Sequence, residues 1–164
     1  MLLLAMRLGI ISDTHGPLRP EVLDVFSQVD QILHAGDIGS HDLLMELETL
    51  APVIAVYGNT DGWDLRGRLP AEQHVELEGL NFTIVHGDRF GQPTPEGLRA
   101  AYPEADVIVY GHTHRPLLTM VDQTVTVMNP GSAGPPRYDL LPSVGIMELE
   151  MGLPPRARLV PLTE

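Results

Sequence analysis

The stretch Leu8-Gly9-Ile10-Ile11-Ser12-Asp13-Thr14-His15 is a short apolar run that ends on an aspartate and a histidine. Four further apolar runs end on residues that can bind a metal ion: 31–35 before Gly36-Asp37, 53–57 before Gly58-Asn59-Thr60-Asp61, 82–85 before His86-Gly87-Asp88, and 107–110 before Gly111-His112-Thr113-His114. Runs of this length, bounded by glycine and polar residues, predict buried β-strands. Strands that end on carboxylates, an amide and imidazoles predict a polar rim above a sheet. Such mixed oxygen and nitrogen ligands favour Mn²⁺, Fe or Zn²⁺ over Mg²⁺ or Ca²⁺.

Length and composition predict one folded domain over residues 1–164, of which residues 1–5 are expected to be a frayed extension. A chain of 164 residues buries roughly 70% of the surface that it exposes when unfolded. The hydrophobic content of 43% and charged content of 20% are typical of a globular protein. The absence of cysteine excludes disulfides, thiolate metal sites and thiol nucleophiles, and it suits the cytoplasm, where we expect the protein. No apolar run approaches the ~20 residues of a membrane span, so no membrane partner is expected.

The formal net charge of −12 restricts the partners that this chain can bind. An extended nucleic-acid footprint needs a basic stripe, so none is expected. The same charge would repel an anionic substrate unless metal ions reverse its sign locally. Two carboxylates, Asp13 and Asp37, with two divalent ions and a bound hydroxide leave about +1 at such a site.

Further strands are predicted at residues 74–78, 117–121, 124–128, 144–149 and 157–160. Helices are predicted at 20–29, at 40–50 with Ser40 as the N-cap, and at 95–102 before Pro103. Strands and helices alternate in the first half of the chain and hairpins follow from about residue 116, which predicts a mixed α/β fold. The segment 62–70, with Trp63, Arg66 and Arg68, is predicted as a loop over the site.

Each of these polar residues has an ordinary structural interpretation when it stands alone. A single aspartate after a strand is more often a turn former or helix cap, and Asn59 after glycine is typical of a turn. His34 is predicted to pack or hydrogen-bond inside its strand, and His41 and His74 are not predicted as ligands. The recurrence of the pattern at five strand ends favours a metal site over these alternatives.

The ordered motifs D-x-H, G-D, G-N-x-D, a lone histidine and G-H-x-H resemble those of the calcineurin-like metallophosphoesterase superfamily. The resemblance covers about residues 8–137, and the short length with Gly-Asn-Thr-Asp resembles the small prokaryotic phosphodiesterases, to which the retromer scaffold subunit is also similar. It implies an α/β class fold, a four-layer α/β/β/α sandwich of two mixed sheets. It also implies two divalent ions, with Mn²⁺ favoured and Fe, Zn²⁺, Ni²⁺ or Co²⁺ as alternatives. The implied ligand sets are Asp13, His15, Asp37 and His114 for one ion, and Asp37, Asn59, His86 and His112 for the other.

The same resemblance implies a metal-dependent phosphoesterase that hydrolyses phosphodiesters, with monoesters as a further possibility, by in-line attack of a metal-bridging hydroxide. A metal ion can lower the pKa of bound water to about 7. Asp37, Asn59 and His112 are the expected catalytic residues, and Asn59, Ser132 and Arg137 the expected contacts to a small phosphoester substrate. Asp61 is expected to orient an imidazole ligand. A homo-oligomer is also a possible assembly of this chain.

One position departs from the pattern of the larger superfamily members, which usually carry histidine where this chain has Thr60. Threonine does not titrate near neutral pH, and a general acid typically contributes roughly 10²–10⁴ in rate. This departure favours modest activity on esters with good leaving groups. It also keeps open a second function, a catalytically weak or inactive metal-binding scaffold that binds a protein partner. A metallo-β-lactamase type of hydrolase is excluded because its compact His-x-His-x-Asp-His run is absent.

Overall fold

Two five-stranded sheets form the centre of the computed structural model, which describes residues 5–136 and 139–163. The strands are β1 Met6–Ile11, β2 Gln31–His34, β3 Val53–Ala55, β4 Glu72–Leu77, β5 Leu80–Val85, β6 Val107–Val109, β7 Leu117–Val121, β8 Val125–Asn129, β9 Ser143–Leu149 and β10 Arg156–Pro161. The helices are α1 Pro20–Val25, α2 His41–Glu48, α3 Trp63–Arg68 and α4 Pro95–Ala101, with a 3₁₀ turn at Asp88–Phe90.

Both sheets are mixed, as predicted. The first has the order β10-β9-β1-β2-β3, in which β1, β2 and β3 are parallel and β9 pairs antiparallel with β1. The second has the order β4-β5-β6-β8-β7, in which β5, β6 and β8 are parallel. Parallel neighbours point their carboxyl ends to the same edge, so each sheet delivers several strand ends to one rim.

The sheets pack face to face through the alternating side chains of their strands. Leu8 and Ile10 of β1 and Phe82 and Ile84 of β5 lie in one buried apolar layer between the sheets. The other faces are covered by helices: Val22 and Leu43, from α1 and α2, pack on the first sheet, and Leu98, from α4, packs on the second. Strands covered on both faces are apolar at nearly every position, which explains the continuous runs in the sequence. The predicted four-layer sandwich is confirmed.

Most element predictions agree with the structure to within a few residues. Ser40 caps α2, because its side chain accepts a hydrogen bond from the amide of Leu43 at 3.3 Å. The predicted hairpin between β7 and β8 is present, and Asp122 and Gln123 at its tip both have positive φ. Helix α1 ends at Val25 rather than at residue 29, because the chain turns at Phe26, the C-cap.

The prediction of a loop over residues 62–70 was wrong. Residues Trp63–Arg68 form α3, which begins after Gly62 and buries a single side chain, Leu65, against the helical layer. Gly67 within the helix and a single buried residue remove the apolar periodicity on which a helix prediction rests. Trp63 is 87% exposed at the start of this helix. Among the described residues, no helix has the length and apolar character that crossing a membrane requires.

Candidate metal centre

The turns that follow five strands bring the predicted ligands together at one edge of the two sheets. β1 leads to Asp13 and His15, and β2 leads to Asp37. Backbone hydrogen bonds continue past the ends of these strands, from the amide of Asp13 to Gly36 at 3.0 Å and from that of His15 to Asp37 at 3.1 Å. In the second sheet the amide of Gly111 donates to the carbonyl of His86 at 3.0 Å. The turns are therefore held in register by the sheets beneath them.

Most of the predicted ligands have a left-handed backbone. Among the described residues, the non-glycine residues with positive φ include these five: Asp13 at 54°, His15 at 55°, Asp37 at 54°, His112 at 72° and His114 at 63°. This conformation is uncommon for residues other than glycine, and it concentrates at functional sites, where surrounding contacts hold it in place. The left-handed residues turn the chain sharply, so that the side chains of Asp13 and His15, two residues apart in the sequence, approach to 3.7 Å.

Two carboxylate oxygens form the middle of the cluster. Oδ1 of Asp13 lies 3.2 Å from Nε2 of His114 and 3.7 Å from Nε2 of His15. Oδ2 of Asp37 lies 3.2 Å from Nε2 of His86 and 3.7 Å from Nε2 of His15. Two groups of three residues could each hold an ion, with ligand atoms within 4.8 Å of one another: Asp13, His15 and His114, and Asp13, Asp37 and His86.

The structure differs in detail from the expectation that Asp37 alone joins the two ligand groups. Oδ1 of Asp37 accepts a hydrogen bond from the amide of Thr60 at 2.9 Å, which leaves Oδ2 facing the cluster. Oδ1 of Asp13 lies close to both groups, since it is also 3.9 Å from Nε2 of His86. Asp13 and Asp37 together therefore form the negative centre around which the imidazoles gather.

The buried polar atoms of the cluster fit a metal ion. Oδ1 of Asp13 and Nε2 of His86 are buried and have no hydrogen-bond partner within the part of the chain that the structure describes. Unpartnered buried polar groups are rare, and an ion would satisfy them. Nε2 of His15 and Nε2 of His114 are 3.4 Å apart, and two nitrogens bound to one tetrahedral Zn²⁺ at 2.0–2.1 Å are about 3.3–3.4 Å apart.

His86 shows the tautomer that a metal ligand requires. Its Nδ1 lies 2.8 Å from the carbonyl of Ala35, which can only accept, so Nδ1 carries a proton. In a neutral ring the lone pair is then on Nε2, which faces Asp37. Histidine ligands almost always donate their second ring nitrogen in this way, and the donation fixes the orientation of the ring.

The carboxylates and His86 perturb the pKa values of one another. Burial alone would raise the pKa of Asp13, but the nearby imidazoles of His114 and His15 and the charge of His86 hold it below its usual range. Burial likewise opposes ionisation of Asp37, whose pKa is lowered by the hydrogen bond and charge of His86. Burial alone would lower the pKa of His86, yet Asp37 and Asp13 raise it to about 9. The site thus strongly favours positive charge at its centre.

Asp13 is fixed by contacts to its second oxygen and to its backbone. Oδ2 accepts hydrogen bonds from the hydroxyl of Ser12 at 2.6 Å and from the amide of His112 at 3.2 Å. Its carbonyl accepts from the hydroxyl of Ser132 at 2.9 Å. A carboxylate held by contacts of this kind would need little reorganisation to bind an ion.

His112 and Asn59, the other two predicted ligands, lie at the margin of the cluster. The ring of His112 packs edge to face against that of His86, with centroids 5.2 Å apart. Asn59 follows β3 in an exposed turn next to Thr60, whose amide binds Asp37. The structure therefore brings both residues beside the central carboxylates and imidazoles, and their binding to the second ion stays a prediction.

The predicted substrate contacts of Ser132 and Arg137 are not tested by the structure. Ser132 is buried and its hydroxyl already has two backbone partners, since it also accepts from the amide of Gly134 at 3.2 Å. Its substrate contact stays a prediction, while its observed contacts position Asp13. Arg137 lies outside the described residues.

Among the described residues, the hydrogen bonds of the Asp61 carboxylate go to backbone amides and to no imidazole, so the prediction that it orients one was wrong. Its buried carboxylate accepts hydrogen bonds from the amides of Ile38 at 2.9 Å, Gly58 at 2.9 Å and Gly39 at 3.1 Å. These donors lie in the turns after β2 and β3, so Asp61 joins the turn that carries Asp37 to its own. The spacing within G-N-x-D contains no signal for this role, because two of the donors are more than 20 residues away in the sequence.

His34 behaves as predicted, inside its strand. Its Nδ1 accepts from the amide of Gly36 at 3.1 Å, so the proton lies on Nε2, 3.2 Å from Oγ1 of Thr14. Burial lowers its pKa to about 4, which keeps the ring neutral. The His34 ring therefore links the turn at Gly36 to the turn at Thr14.

Asn129 is a positioning residue that sequence reasoning missed. It is fully buried, and its Nδ2 donates to the carbonyl of Gly111 at 3.1 Å and to Oγ1 of Thr113 at 3.0 Å. Its Oδ1 accepts from the amide of Gly131 at 2.9 Å. Asn129 therefore holds the turn of His112 and His114 to the turn after β8. A polar residue at the end of an apolar strand was the available signal.

Two glycines are required by the closeness of the turns. A Cβ at Gly58 would collide with the side chain and amide of Asp37, and one at Gly111 would collide with Ser12 and lie 2.6 Å from Oδ2 of Asp13. Each glycine lets one strand-end turn approach the carboxylate of another.

Comparison with known proteins agrees with this geometry. Residues 6–152 match the model of the calcineurin-like phosphoesterase superfamily domain. The chain is 41% identical over 152 residues to a probable metallophosphoesterase of Methanothermobacter thermautotrophicus, across 88% of this chain and 87% of that protein. It is 33% identical over 161 residues to a phosphodiesterase of Methanocaldococcus jannaschii, across 88% of this chain and 94% of that one.

A solved structure shows the same fold. Vacuolar protein sorting 29 of Cryptosporidium parvum superposes with a TM-score of 0.82 over 98% of this chain and 100% of its own. The sequence identity is 18%, so this likeness concerns the fold alone.

Proposed function

The chain belongs to the calcineurin-like phosphoesterase superfamily, and from this membership we propose that it hydrolyses small phosphodiesters with the help of two divalent metal ions. Phosphomonoesters are a further substrate class within the same chemistry. A net charge of −12 makes such ions necessary, because the protein without them would repel an anionic ester.

One observation carries this proposal. Two buried carboxylates, Asp13 and Asp37, face the Nε2 atoms of three histidines at distances between 3.2 and 3.9 Å. So many polar atoms that face one another in a buried site do not stabilise a hydrophobic core, and two of them lack any hydrogen-bond partner among the described residues. Cations between them would satisfy all of these groups at once.

When bound, such ions act as Lewis acids: they lower the pKa of water to about 7 and neutralise charge on phosphoryl oxygens. The chain supplies the geometry for this chemistry. Asp13 and Asp37 set the negative centre, and the tautomer of His86 is fixed by Ala35. Asn59 and His112, at the margin, are the groups that we propose to hold the second ion and to act in catalysis, and Asn59, Ser132 and Arg137 are the proposed contacts to the substrate.

The residue at position 60 is a poor proton donor for the leaving group. Thr60 occupies the position after Asn59, and its hydroxyl lies 3.5 Å from Nδ1 of His15. A threonine hydroxyl does not donate a proton readily at neutral pH. We therefore propose a preference for esters whose alcohol leaves without protonation, such as aryl esters.

Mn²⁺ is the proposed ion, with Fe, Zn²⁺, Ni²⁺ or Co²⁺ as alternatives, because the ligands combine carboxylate oxygen with imidazole nitrogen. We also propose that residues 1–164 act as one domain in the cytoplasm.

Hydrolysis of an aryl phosphodiester with and without Mn²⁺ tests the proposal. Asp37→Ala should abolish the metal-dependent turnover, whereas Asp24→Ala, an exposed aspartate on α1, should retain it. Metal content measured on the same samples should fall only in the Asp37 variant. Equal turnover in wild type and Asp37→Ala would contradict the assignment of the site.

A metal-binding scaffold is the second candidate, and the specific observation in its favour is Thr60. In that case Mn²⁺ would bind to the wild type with the same dependence on Asp37, but no phosphoester would be hydrolysed. The two readouts of the experiment therefore separate the two functions.

A further inference from the structure

Arg66 on α3 holds the turn that carries Asn59. Its Nε donates to the carbonyl of Asp61 at 2.7 Å and its Nη2 donates to the carbonyl of Asn59 at 3.0 Å. A guanidinium is planar and presents its donors in a fixed fork, so binding to both carbonyls fixes the orientation of one peptide relative to the other. The backbone on either side of Thr60 is thereby clamped.

The position of Arg66 is itself fixed. Its amide donates to Gly62 at 3.0 Å as part of α3, and its guanidinium carbon lies 4.9 Å from the ring centroid of Tyr57. A cation over an aromatic ring is attracted to the face of the ring. The amide of Tyr57 donates to Pro70 at 3.1 Å, which links the end of β3 to the segment after α3. The clamp therefore rests on a strand end and a helix.

The other arginines of this region have carboxylate partners. Arg68 lies 3.2 Å from Asp64, and Arg89 lies 2.9 Å from Glu72. Within residues 5–136 and 139–163, the ion pairs shorter than 4.0 Å do not include Arg66. Its observed hydrogen bonds go to backbone carbonyls of the ligand turn instead.

The clamped turn is joined to the metal centre. Between the two carbonyls that Arg66 binds, the amide of Thr60 donates to Oδ1 of Asp37 at 2.9 Å. Asn59 itself is exposed, so packing does not fix its side chain. Loss of the clamp would free the peptide of Asn59 without removing any group that faces the ions.

We propose that Arg66 is a positioning residue that aims Asn59 at the second metal ion, an inference that rests on the proposed function. It acts through the backbone carbonyls of Asn59 and Asp61 and makes no contact with the metal. Outer contacts of this kind typically change metal affinity by 10–100-fold.

The rival interpretation is direct contact with substrate. Arg66 borders a cavity of about 200 Å³ that His86 also lines, together with Glu72 and Arg89. A substrate contact would raise KM and leave metal binding unchanged. Positioning would weaken the binding of one of the two ions, and any rise in KM would accompany that loss because Asn59 is also a proposed substrate contact.

Titration of the metal-free protein with Mn²⁺, followed by calorimetry, separates these interpretations. Arg66→Met should lower the affinity for the Mn²⁺ ion that Asn59 is proposed to hold by about tenfold or more, and it should leave the affinity for the other ion unchanged. Excess Mn²⁺ should then restore kcat. The matched control is Arg68→Met on the same helix, which should alter neither affinity.

Three results for Arg66→Met would overturn the proposal. The first is that both Mn²⁺ affinities are unchanged, and the second is that the main effect is a rise in KM at saturating Mn²⁺. The third is that both Mn²⁺ affinities fall equally and the melting temperature is lower. The first two would reject a positioning role and the third would make Arg66 a general stability residue. The titration needs no turnover, so a wild type that binds two ions without hydrolysing esters would refute the proposed function and still test Arg66.

Discussion

Replacement of Asp61 by asparagine tests whether this buried carboxylate joins the two turns that carry Asp37 and Asn59. The change keeps the size of the side chain and replaces one oxygen by an amide NH₂. Oδ1 accepts from Ile38 and Gly39, and Oδ2 accepts from Gly58. In the variant, the new NH₂ must face at least one of these backbone N–H groups.

The magnitude follows from the burial of the donors. The amides of Ile38 and Gly58 lie in buried residues, whereas Gly39 is exposed and water can replace its partner. An unpaired buried polar group costs about 1–3 kcal/mol. We expect Asp61→Asn, which leaves one such amide unpaired, to lower the free energy of unfolding by about 2–3 kcal/mol. Asp61→Ala, which leaves two unpaired, should lower it by about 4 kcal/mol.

Urea denaturation of the metal-free proteins, followed by circular dichroism, measures these differences without a contribution from bound ions. The matched control is Asp64→Asn on α3, whose side chain is 54% exposed and pairs only with Arg68 among the described contacts. An exposed pair of this kind contributes about 0–1 kcal/mol. A free energy of unfolding for Asp61→Asn within about 0.5 kcal/mol of wild type would refute the role given to this carboxylate.

Three further predictions concern the chemistry of the centre. Thr60→His should accelerate hydrolysis of alkyl phosphodiesters more than that of aryl ones, by at least tenfold in the ratio of kcat/KM, because only poor leaving groups need a proton; equal effects would contradict this. Gly58→Ala should weaken Mn²⁺ binding by at least tenfold, because the added methyl group would collide with Asp37. The control Gly62→Ala, whose methyl group would meet open space, should bind Mn²⁺ as the wild type does, and calorimetry measures both affinities. Mn²⁺ must displace the proton of His86, whose pKa is raised to about 9, so at pH 7.5 binding should release close to one proton and the affinity should rise with pH up to about 9. Calorimetry in two buffers of different ionisation enthalpy measures that proton, and identical observed heats in the two buffers would contradict its release.

The sequence was sufficient for the fold and for the positions of the carboxylates and imidazoles at the centre of the cluster. Apolar runs mark strands that are covered on both faces, and a polar residue just beyond such a run can only lie at the rim. Asp13, Asp37 and His86 are each found there, facing one another.

The parts that sequence reasoning missed depend on contacts between distant segments. Asp61 binds the amides of Ile38 and Gly39, and Asn129 binds Gly111, across separations that no local pattern records. Helix α3 was missed because only Leu65 is buried. A helix with one buried side chain has no periodicity, so the position of Arg66 could not be predicted from the sequence.

The separation of the apolar layer from the polar rim has an evolutionary consequence. The buried layer between the sheets, which includes Leu33, Phe82 and Val109, contains none of the proposed ligands. Substitutions at the rim can therefore change or remove the chemistry while the sheets remain packed. A lineage that lost its metal ions would inherit an intact surface of strand-end turns, available for selection as a binding site. Removal of the proposed ligands is therefore expected to leave the packing between the sheets intact.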